Sequence, residues 1–170
     1  MVAGAIEVGE AARRFVEELG LLVEDTGWMS RTAGRVLGLL LVAERPLSQP
    51  ELCRSLQVSA GSVSTVTRLL IDKRLIKRVA LTGERKVMFE VPADAWSAME
   101  EDGLRVVRRY RSLADAALAG LGAEQDAARA GLERMNRYFQ IVDLRMQSVL
   151  SELASTRSTA SSPTPVESGA

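Results

Sequence analysis

Apolar residues recur at three- and four-residue spacing over the first part of the chain, which predicts amphipathic helices. Residues 6–25 form one such segment, and a second begins at the capping residue Ser30 and runs to about Glu44. Within the second segment, Gly34 and Gly38 have G-x-x-x-G spacing. In a helix this spacing favours close packing against a neighbouring helix, because glycine lets backbones approach.

Two short helices with clear start signals follow. Ser48 and Glu51 have the S-x-x-E spacing of a capping box, and Ser59 can cap the next helix, which runs to about Lys73. Gln57-Val58 between them is long enough only for a tight turn. Two short helices joined in this way, with the second one longer, indicate a helix-turn-helix.

After these helices the pattern becomes that of strands. Leu75–Leu81 and Val87–Val91 are rich in branched apolar residues, and residues 82–85 between them have the composition of a turn. Apolar and other residues alternate in the second run, which predicts one buried face, formed by Val87, Phe89 and Val91. A helix-turn-helix followed by a two-stranded hairpin is a winged helix.

Two long helices are predicted at residues 94–119 and 123–154. In the second, apolar residues step by three and four over three heptads, at Leu132, Met135, Phe139, Val142, Met146, Val149 and Leu153. This seam either packs within its own subunit or is shared with a second copy. We favour a shared seam, because three long helices outside a small wing domain need a partner surface.

Charge is distributed unevenly. The whole chain has 22 basic and 22 acidic residues, and taken alone this balance argues against a nucleic-acid partner. Residues 45–89, however, contain nine basic and three acidic residues, a formal charge of +6, and the rest of the chain carries −6. A basic segment in an otherwise acidic chain is typical of a surface that binds the phosphates of a nucleic acid. The alternative is a basic surface that only contacts solvent.

The second short helix can be divided into two faces at 100° per residue. Its core face is formed by Val63, Val66, Thr67 and Leu70. The opposite side is small and hydroxylated near its start and basic later, and the side chains or backbone predicted to contact DNA there are Gly61, Ser62, Ser64, Thr65 and Arg68. Arg68 either pairs with a guanine or holds a phosphate, and the hydroxyl groups either contact DNA or bond locally. Arg85 and Lys86 at the hairpin tip are predicted to reach the flanking phosphates or minor groove.

Composition excludes most enzyme chemistry. The chain has no His, which removes the commonest general base and zinc ligand, and a single Cys53, which excludes an internal disulfide. We expect Cys53 to be a small buried side chain rather than a redox sensor. The one acidic cluster, Glu100-Glu101-Asp102, lies on a predicted solvent face. The sequence therefore predicts no catalytic residues, no metal and no cofactor.

Neither a targeting segment nor a membrane span is predicted. The first ten residues lack the basic and apolar regions of a signal peptide, and the most apolar run, Val36–Ala43, is eight residues long. A cytoplasmic location is expected.

The region from Ala33 to Gly83-Glu84-Arg85, including Ser59–Leu70, resembles the MarR family of winged-helix regulators, most closely its GbsR-like branch. The resemblance covers residues 28–91. It implies a homodimer, joined by N- and C-terminal helices, that binds a pseudo-palindromic operator and usually represses nearby genes. It places Ser62, Ser64, Thr65 and Arg68 on the recognition helix and Arg85 on the wing.

Two departures from the family pattern bear on geometry. Arg74 stands where the family usually has glycine after the recognition helix, so the helix end is expected to differ. In the wing, Glu84 and Arg85 are adjacent, whereas the family usually has Asp-x-Arg. The internal ion pair of that wing element therefore does not carry over directly.

Together these patterns predict a fold that is mainly α with a small β-hairpin, a winged helix-turn-helix flanked by long dimerisation helices. The expected organisation is an N-terminal dimerisation helix at 1–27, a DNA-binding domain at 28–92, a helical dimerisation region at 93–154 and a flexible tail at 155–170.

The predicted function is a homodimeric, DNA-binding transcriptional regulator, a repressor that is released from DNA by a small-molecule effector. Quaternary-ammonium effectors need an aromatic cage, and Trp28 and Trp96 are the candidate ligand-binding residues, although either can equally be core or interface. The alternative function is a winged-helix module that binds protein. The sequence specifies neither effector, operator nor direction of regulation.

Overall fold

The computed structural model describes residues 9–80, 86–122 and 124–160. The elements within these residues are, in chain order, α1 (Glu10–Asp25), α2 (Arg31–Val42), β1 (Leu47–Ser48), α3 (Gln49–Leu56), α4 (Ala60–Asp72), β2 (Lys77–Val79), β3 (Met88–Glu90), α5 (Ala95–Gly120) and α6 (Asp126–Ala160). They fall into two compact units, which divide after Trp96. The mainly helical fold class is confirmed.

Glycines allow α1 and α2 to pack closely in the first unit. Gly34 of α2 faces Gly20 of α1, and a Cβ atom on Gly38 would lie 3.2 Å from the Cα atom of Val16. The packing prediction made from the G-x-x-x-G spacing is therefore confirmed. The boundary predicted after residue 27 falls between two helices of one compact unit.

The core of the first unit lies where α2, α3 and α4 meet. Leu37, Leu52 and Leu70, one from each helix, are almost completely inaccessible to solvent. The predicted start signals act as expected, because the Ser30 hydroxyl accepts a hydrogen bond from the Ala33 backbone nitrogen. Leu75 and Ile76 follow α4 and are also buried, so they anchor the chain as it enters the sheet.

The sheet has three antiparallel strands in the order β1-β3-β2, rather than the predicted two. Leu47 pairs with Phe89 and Ser48 with Met88, so β1 adds to the hairpin at its β3 side. The predicted alternation was wrong: Met88 and Phe89 are both buried, whereas Val87 is 53% exposed. Adjacent residues of a strand point to opposite faces, so both faces of this central strand are covered.

In the second unit, α5 and α6 run antiparallel. Tyr110 stacks on Phe139 with ring centroids 4.7 Å apart, and the side-chain amide of Asn136 donates a hydrogen bond to the Asp115 carboxylate farther along. The prediction that residues from 155 onward form a flexible tail was wrong as far as Ala160, because α6 continues to that residue. The Ser155 and Thr156 hydroxyls each donate to the carbonyl four residues earlier, which accommodates these residues within the helix.

Candidate nucleic-acid interface

Ser59 fixes the start of α4. Its hydroxyl accepts a 3.1 Å hydrogen bond from the backbone nitrogen of Ser62 and lies 2.9 Å from the Ser62 hydroxyl. This confirms Ser59 as the N-cap and engages Ser62, one of the predicted DNA-binding residues, in a local bond. The side chain of Ser62 nevertheless stays exposed at the end of the helix where backbone amides favour a phosphate.

The two faces of α4 are those predicted from its sequence. Val63, Val66, Thr67 and Leu70 are buried. On the other side Gly61, Thr65 and Arg68 are exposed, and Ser64 is half-buried at the edge. A Cβ atom added to Gly61 would meet only the Ser59 hydroxyl, at 3.9 Å. The fold therefore has room for a side chain at Gly61, so packing within the chain does not require glycine there.

The guanidinium of Arg68 is oriented by its own helix. Its Nε donates to the Ser64 carbonyl at 3.2 Å, and the Thr67 hydroxyl donates to the same carbonyl. This arrangement uses one of the five N–H groups of the guanidinium and leaves its two terminal nitrogens in the exposed region. Two adjacent terminal donors suit either the edge of a guanine or a phosphate.

Glu51 anchors the helix that precedes α4. Its carboxylate accepts hydrogen bonds from the Ser48 backbone nitrogen at 2.7 Å and the Ser48 hydroxyl at 2.6 Å, and it pairs with Arg45 at 2.7 Å. Burial raises the pKa of Glu51, but the bonds from Arg45 and Ser48 outweigh burial and lower this pKa to about 2. The capping box was predicted, whereas the contribution of Arg45 was missed because it depends on the bend at Pro46.

Two helix ends in this region have left-handed residues that are not glycine. Gln57 has a φ of 55° in the turn between α3 and α4, and Arg74 has a φ of 58° after α4. The expectation that arginine would alter the helix end was wrong in geometric terms, because Arg74 adopts the left-handed conformation that glycine ordinarily supplies.

The described part of the wing presents further basic groups. Lys86 is exposed, and Lys77 on β2 forms a 3.0 Å ion pair with Glu90 on β3. Residues 81–85 lie outside the described residues, and the predicted contact Arg85 lies among them.

The candidate ligand residues are both partly exposed, Trp28 at 37% and Trp96 at 41%. Trp96 lines an open cavity of about 400 Å³ together with Leu40, Leu41, Ala43, Glu44, Arg45, Pro46, Glu90, Val91, Pro92 and Ala93. Among these described lining residues Trp96 is the one aromatic, and Trp28 does not belong to the set. The structure therefore does not bring the two tryptophans together in an aromatic cage at this cavity.

The predicted dimerisation residues Leu132, Met135, Phe139, Val142 and Met146 are half-buried, and Val149 is 43% exposed. Part of this seam packs within its own chain, since Phe139 stacks on Tyr110 and the methyl group of Met146 lies beside Gly103. Sequence reasoning missed a second apolar face on the same helices. Its exposed side chains are Val106, Tyr110, Leu113, Tyr138, Ile141 and Leu144.

A buried carboxylate holds α5 and α6 together. Asp143 accepts a 2.6 Å bond from Arg111 and pairs with Arg108 at 3.5 Å. The hydrogen bonds from Gln147 and Arg111, together with the charges of Arg108 and Arg111, outweigh burial and hold the pKa of Asp143 below its ordinary value. The sequence signal for this ion pair is the position of Asp143, an acidic residue between the apolar heptad residues Val142 and Met146.

The described residues were also searched for a metal site, for an acidic site on α5 and for a membrane-spanning helix. No cluster of His, Cys, Asp or Glu residues there could hold a metal ion. In the acidic cluster of α5, Asp102 pairs with Arg105 one turn later. No helix among the described residues is long and apolar enough to span a bilayer.

Comparisons with known proteins identify the module. Residues 29–86, which contain the helix-turn-helix, match the model of the MarR family. The HTH-type transcriptional regulator MmpR5 of Mycobacterium tuberculosis is 38% identical over 109 residues, which span 64% of this chain and 66% of that protein. The putative HTH-type transcriptional regulator YvaV of Bacillus subtilis is 30% identical over 87 residues, which span 51% of this chain and 49% of YvaV.

Similarity extends to a solved structure. A crystal structure of a transcriptional regulator superposes with a TM-score of 0.71 at 30% identity, covering 85% of this chain and 99% of that one. The match therefore includes helices outside the segment recognised by the family model. With its capped recognition helix, three-stranded wing and long C-terminal helices, the chain belongs to the MarR family of winged-helix transcriptional regulators.

Proposed function

We propose that this regulator is a homodimer that binds a pseudo-palindromic DNA operator, represses transcription from it and is released by a small-molecule effector in the cytoplasm. The observation that carries the proposal is the exposed face of α4. Small residues at its start and Arg68 in its middle lie opposite a buried face, within a segment of formal charge +6. The GbsR-like branch is the subfamily that the residue pattern favours.

The proposed contact follows from the dimensions and chemistry of this face. An α-helix fits the major groove of B-DNA, where each base pair presents a distinct pattern of donors and acceptors. Gly61 allows the start of α4 to approach the base edges, and Arg68 supplies a pair of charged donors. In a dimer the two copies of α4 would read half-sites one helical turn, about 34 Å, apart.

The proposal of a homodimer is supported by the exposed apolar face on α5 and α6. Leu113 is 64% exposed, and Tyr138 and Leu144 are each 62% exposed. Several large apolar side chains exposed on the same pair of helices are typical of protein–protein contacts. A second copy of the chain is the proposed partner. The proposed contact surface consists of the outward apolar face and of Val149, the exposed residue of the heptad seam.

Effector release is proposed to act through the spacing of the recognition helices. A ligand that favours a different separation of the two α4 helices lowers affinity for an operator of fixed half-site spacing. The open cavity beside Trp96 is a candidate binding position, and its indole provides a fluorescence signal. Distance measurements between labels on the two α4 helices, with and without a DNA-releasing ligand, would reject this mechanism if the separation stayed constant.

The experiment that tests DNA binding is selection of duplexes from a random library, followed by titration of the selected duplex. Arg68→Ala should weaken binding by about 1–3 kcal/mol if Arg68 reads a base, and should also relax specificity at one position. Equal losses on all sequences would identify a phosphate contact. Arg105→Ala, which removes an exposed arginine of α5, is the matched control.

Two results would contradict the proposal. If Arg68→Ala binds the selected duplex as tightly as the wild type, the assigned DNA-binding face is wrong. If the wild-type protein selects no duplex and shows no salt-dependent binding, the winged helix is better explained as a protein-interaction module.

A further inference from the structure

A side-chain hydrogen bond joins the starts of α3 and α4. The Nε2 atom of Gln49 donates to the Ala60 carbonyl at 2.9 Å, across 11 residues of the chain. Gln49 is the first residue of α3, and Ala60 is the first residue of α4. The bond therefore connects the two helices from the end of α3 that lies farthest along the chain from the turn at Gln57.

This bond is not needed to satisfy a buried polar group. In an α-helix each carbonyl accepts from the backbone nitrogen four residues later, so the Ala60 carbonyl already has a partner in Ser64. The bond from Gln49 lies at the surface, where water can replace either group. Its loss should therefore cost little stability, and its main effect is on the orientation of α4.

The bond adds a directional restraint to the apolar packing of these helices. Leu56 of α3 and Val63 of α4 are both buried, and the hydrophobic effect that favours their burial is non-directional. A hydrogen bond, in contrast, weakens steeply as its angle and distance change. Since Gln49 bonds the first residue of α4, it restrains the rotation of the first turn about the helix axis.

Small rotations of α4 matter for the proposed contact with DNA. Side chains of a helix lie about 5 Å from its axis, so a rotation of about 10° moves them by about 1 Å. The hydrogen bonds that read base edges tolerate only about 0.5 Å in the distance between donor and acceptor. Gly61 directly follows Ala60, and Arg68 lies about two turns farther along the exposed side, so such a rotation would displace both.

We propose that Gln49 is a positioning residue for sequence recognition, whose bond to Ala60 fixes the rotation of α4 and so aligns its exposed face with the base edges. The inference rests on the proposed DNA-binding function and adds to it a residue outside the recognition helix. Because Gln49 acts through Ala60, it contributes to selectivity between sequences rather than to general affinity for phosphates.

The test compares Gln49→Met with the wild type in titrations of two fluorescein-labelled duplexes, the selected duplex and a scrambled duplex of the same length and composition. Methionine has nearly the length of glutamine but no N–H group. The Kd for the scrambled duplex divided by the Kd for the selected duplex measures selectivity. An inactive fraction of protein raises both Kd values equally, so a purely structural defect leaves this ratio unchanged.

Gln49→Met should lower the ratio by about 3- to 10-fold, as expected when a base contact is partly misaligned. Its Tm should fall by no more than about 3 °C, since an exposed hydrogen bond is lost. Gln49→Lys should keep a ratio close to that of the wild type. Its ammonium group can donate to the same carbonyl, and its added charge strengthens binding to both duplexes alike.

Gln57→Met is the matched control, since it makes the same change in an exposed side chain that has no bonding partner among the described residues. It should keep the wild-type ratio. A wild-type ratio in Gln49→Met overturns the proposal, including the case in which both duplexes bind equally less tightly, which would indicate that Gln49 contacts a phosphate directly. An equally low ratio in Gln49→Lys also overturns it.

Failure of this inference differs from failure of the proposed function. If the wild type prefers the selected duplex and Gln49→Met prefers it to the same extent, only the role of Gln49 is wrong. If the wild type binds neither duplex, or binds both equally, the proposed sequence-specific DNA binding fails as well.

Discussion

Gly34 on α2 faces Gly20 on α1 so closely that a Cβ atom added to Gly34 would lie 2.8 Å from the Cα atom of Gly20. The Leu19 carbonyl oxygen would be 3.0 Å away. Both neighbours are backbone atoms, which move only if the helices separate.

Gly34→Ala should therefore destabilise the protein by about 1–3 kcal/mol, despite the higher helix propensity of alanine. The free energy of unfolding in urea measures this. Gly131→Ala in α6 is the control, because its new Cβ atom would meet nothing nearer than 4.0 Å, and it should be neutral or stabilising. Equal stability of Gly34→Ala and the wild type would show that α1 and α2 are less closely packed.

Gly61→Ala should raise the stability of the protein and lower its affinity for DNA. The position has space for a methyl group and lies in the first turn of α4, so alanine should stabilise the helix by up to about 1 kcal/mol. The same methyl group would hold the helix away from the base edges, so affinity for the selected duplex should fall. Unchanged affinity would mean that the start of α4 does not approach DNA closely.

Glu51 should make stability depend on pH in the acid range. Its pKa is lowered from 4.5 to about 2 in the folded protein, so its contribution is fully present above pH 4.5 and is lost as the pH falls towards 2. The wild type should exceed Glu51→Gln in unfolding free energy by about 2–3 kcal/mol near neutral pH. This difference should shrink towards pH 2.

Urea unfolding at a series of pH values measures that difference. Glu44→Gln, which changes an exposed carboxylate just before Arg45, should show no comparable loss near neutral pH. A constant difference between wild type and Glu51→Gln from pH 7 to pH 2 would mean that the charge of Glu51 does not stabilise the fold.

Ile141→Glu should dissociate the proposed dimer. Ile141 is 56% exposed on α6, so a carboxylate there leaves the packing between α5 and α6 largely intact while charging the outward apolar face. Sedimentation velocity should show a monomer, and Gln125→Glu, which adds a carboxylate just before α6, should sediment as the wild type does. A dimer of undiminished stability in Ile141→Glu would exclude this face.

Local signals account for what could be predicted of the fold. The caps at Ser30 and Ser59, the turn at Gln57 and the two faces of α4 depend on residues close together in the sequence, and the structure confirms them. β1 has two residues, too few for any periodicity, and its pairing partner is about 40 residues away. For the same reason the burial of Met88 could not be predicted, since it depends on that third strand.

The second unit shows the limit of a heptad pattern. The pattern correctly marks an apolar face on α6, but it does not say whether Phe139 packs against Tyr110 of its own chain or against another subunit. The Ser- and Thr-rich composition after Ala154 predicted a flexible tail. Composition ignores cooperativity, by which a helix already formed gains one hydrogen bond for each residue it adds.

Because β1 joins the central strand of the wing and leads directly into α3, the wing has little freedom to bend independently of the helix pair. Ser48 pairs with Met88 of the wing, while its backbone nitrogen and hydroxyl are held by Glu51 of α3. The two surfaces proposed to bind DNA, on α4 and on the wing, are thus linked through Ser48. A substitution that breaks the bonds of Ser48 would therefore weaken the proposed DNA binding by the wing without changing any of the residues proposed to contact DNA.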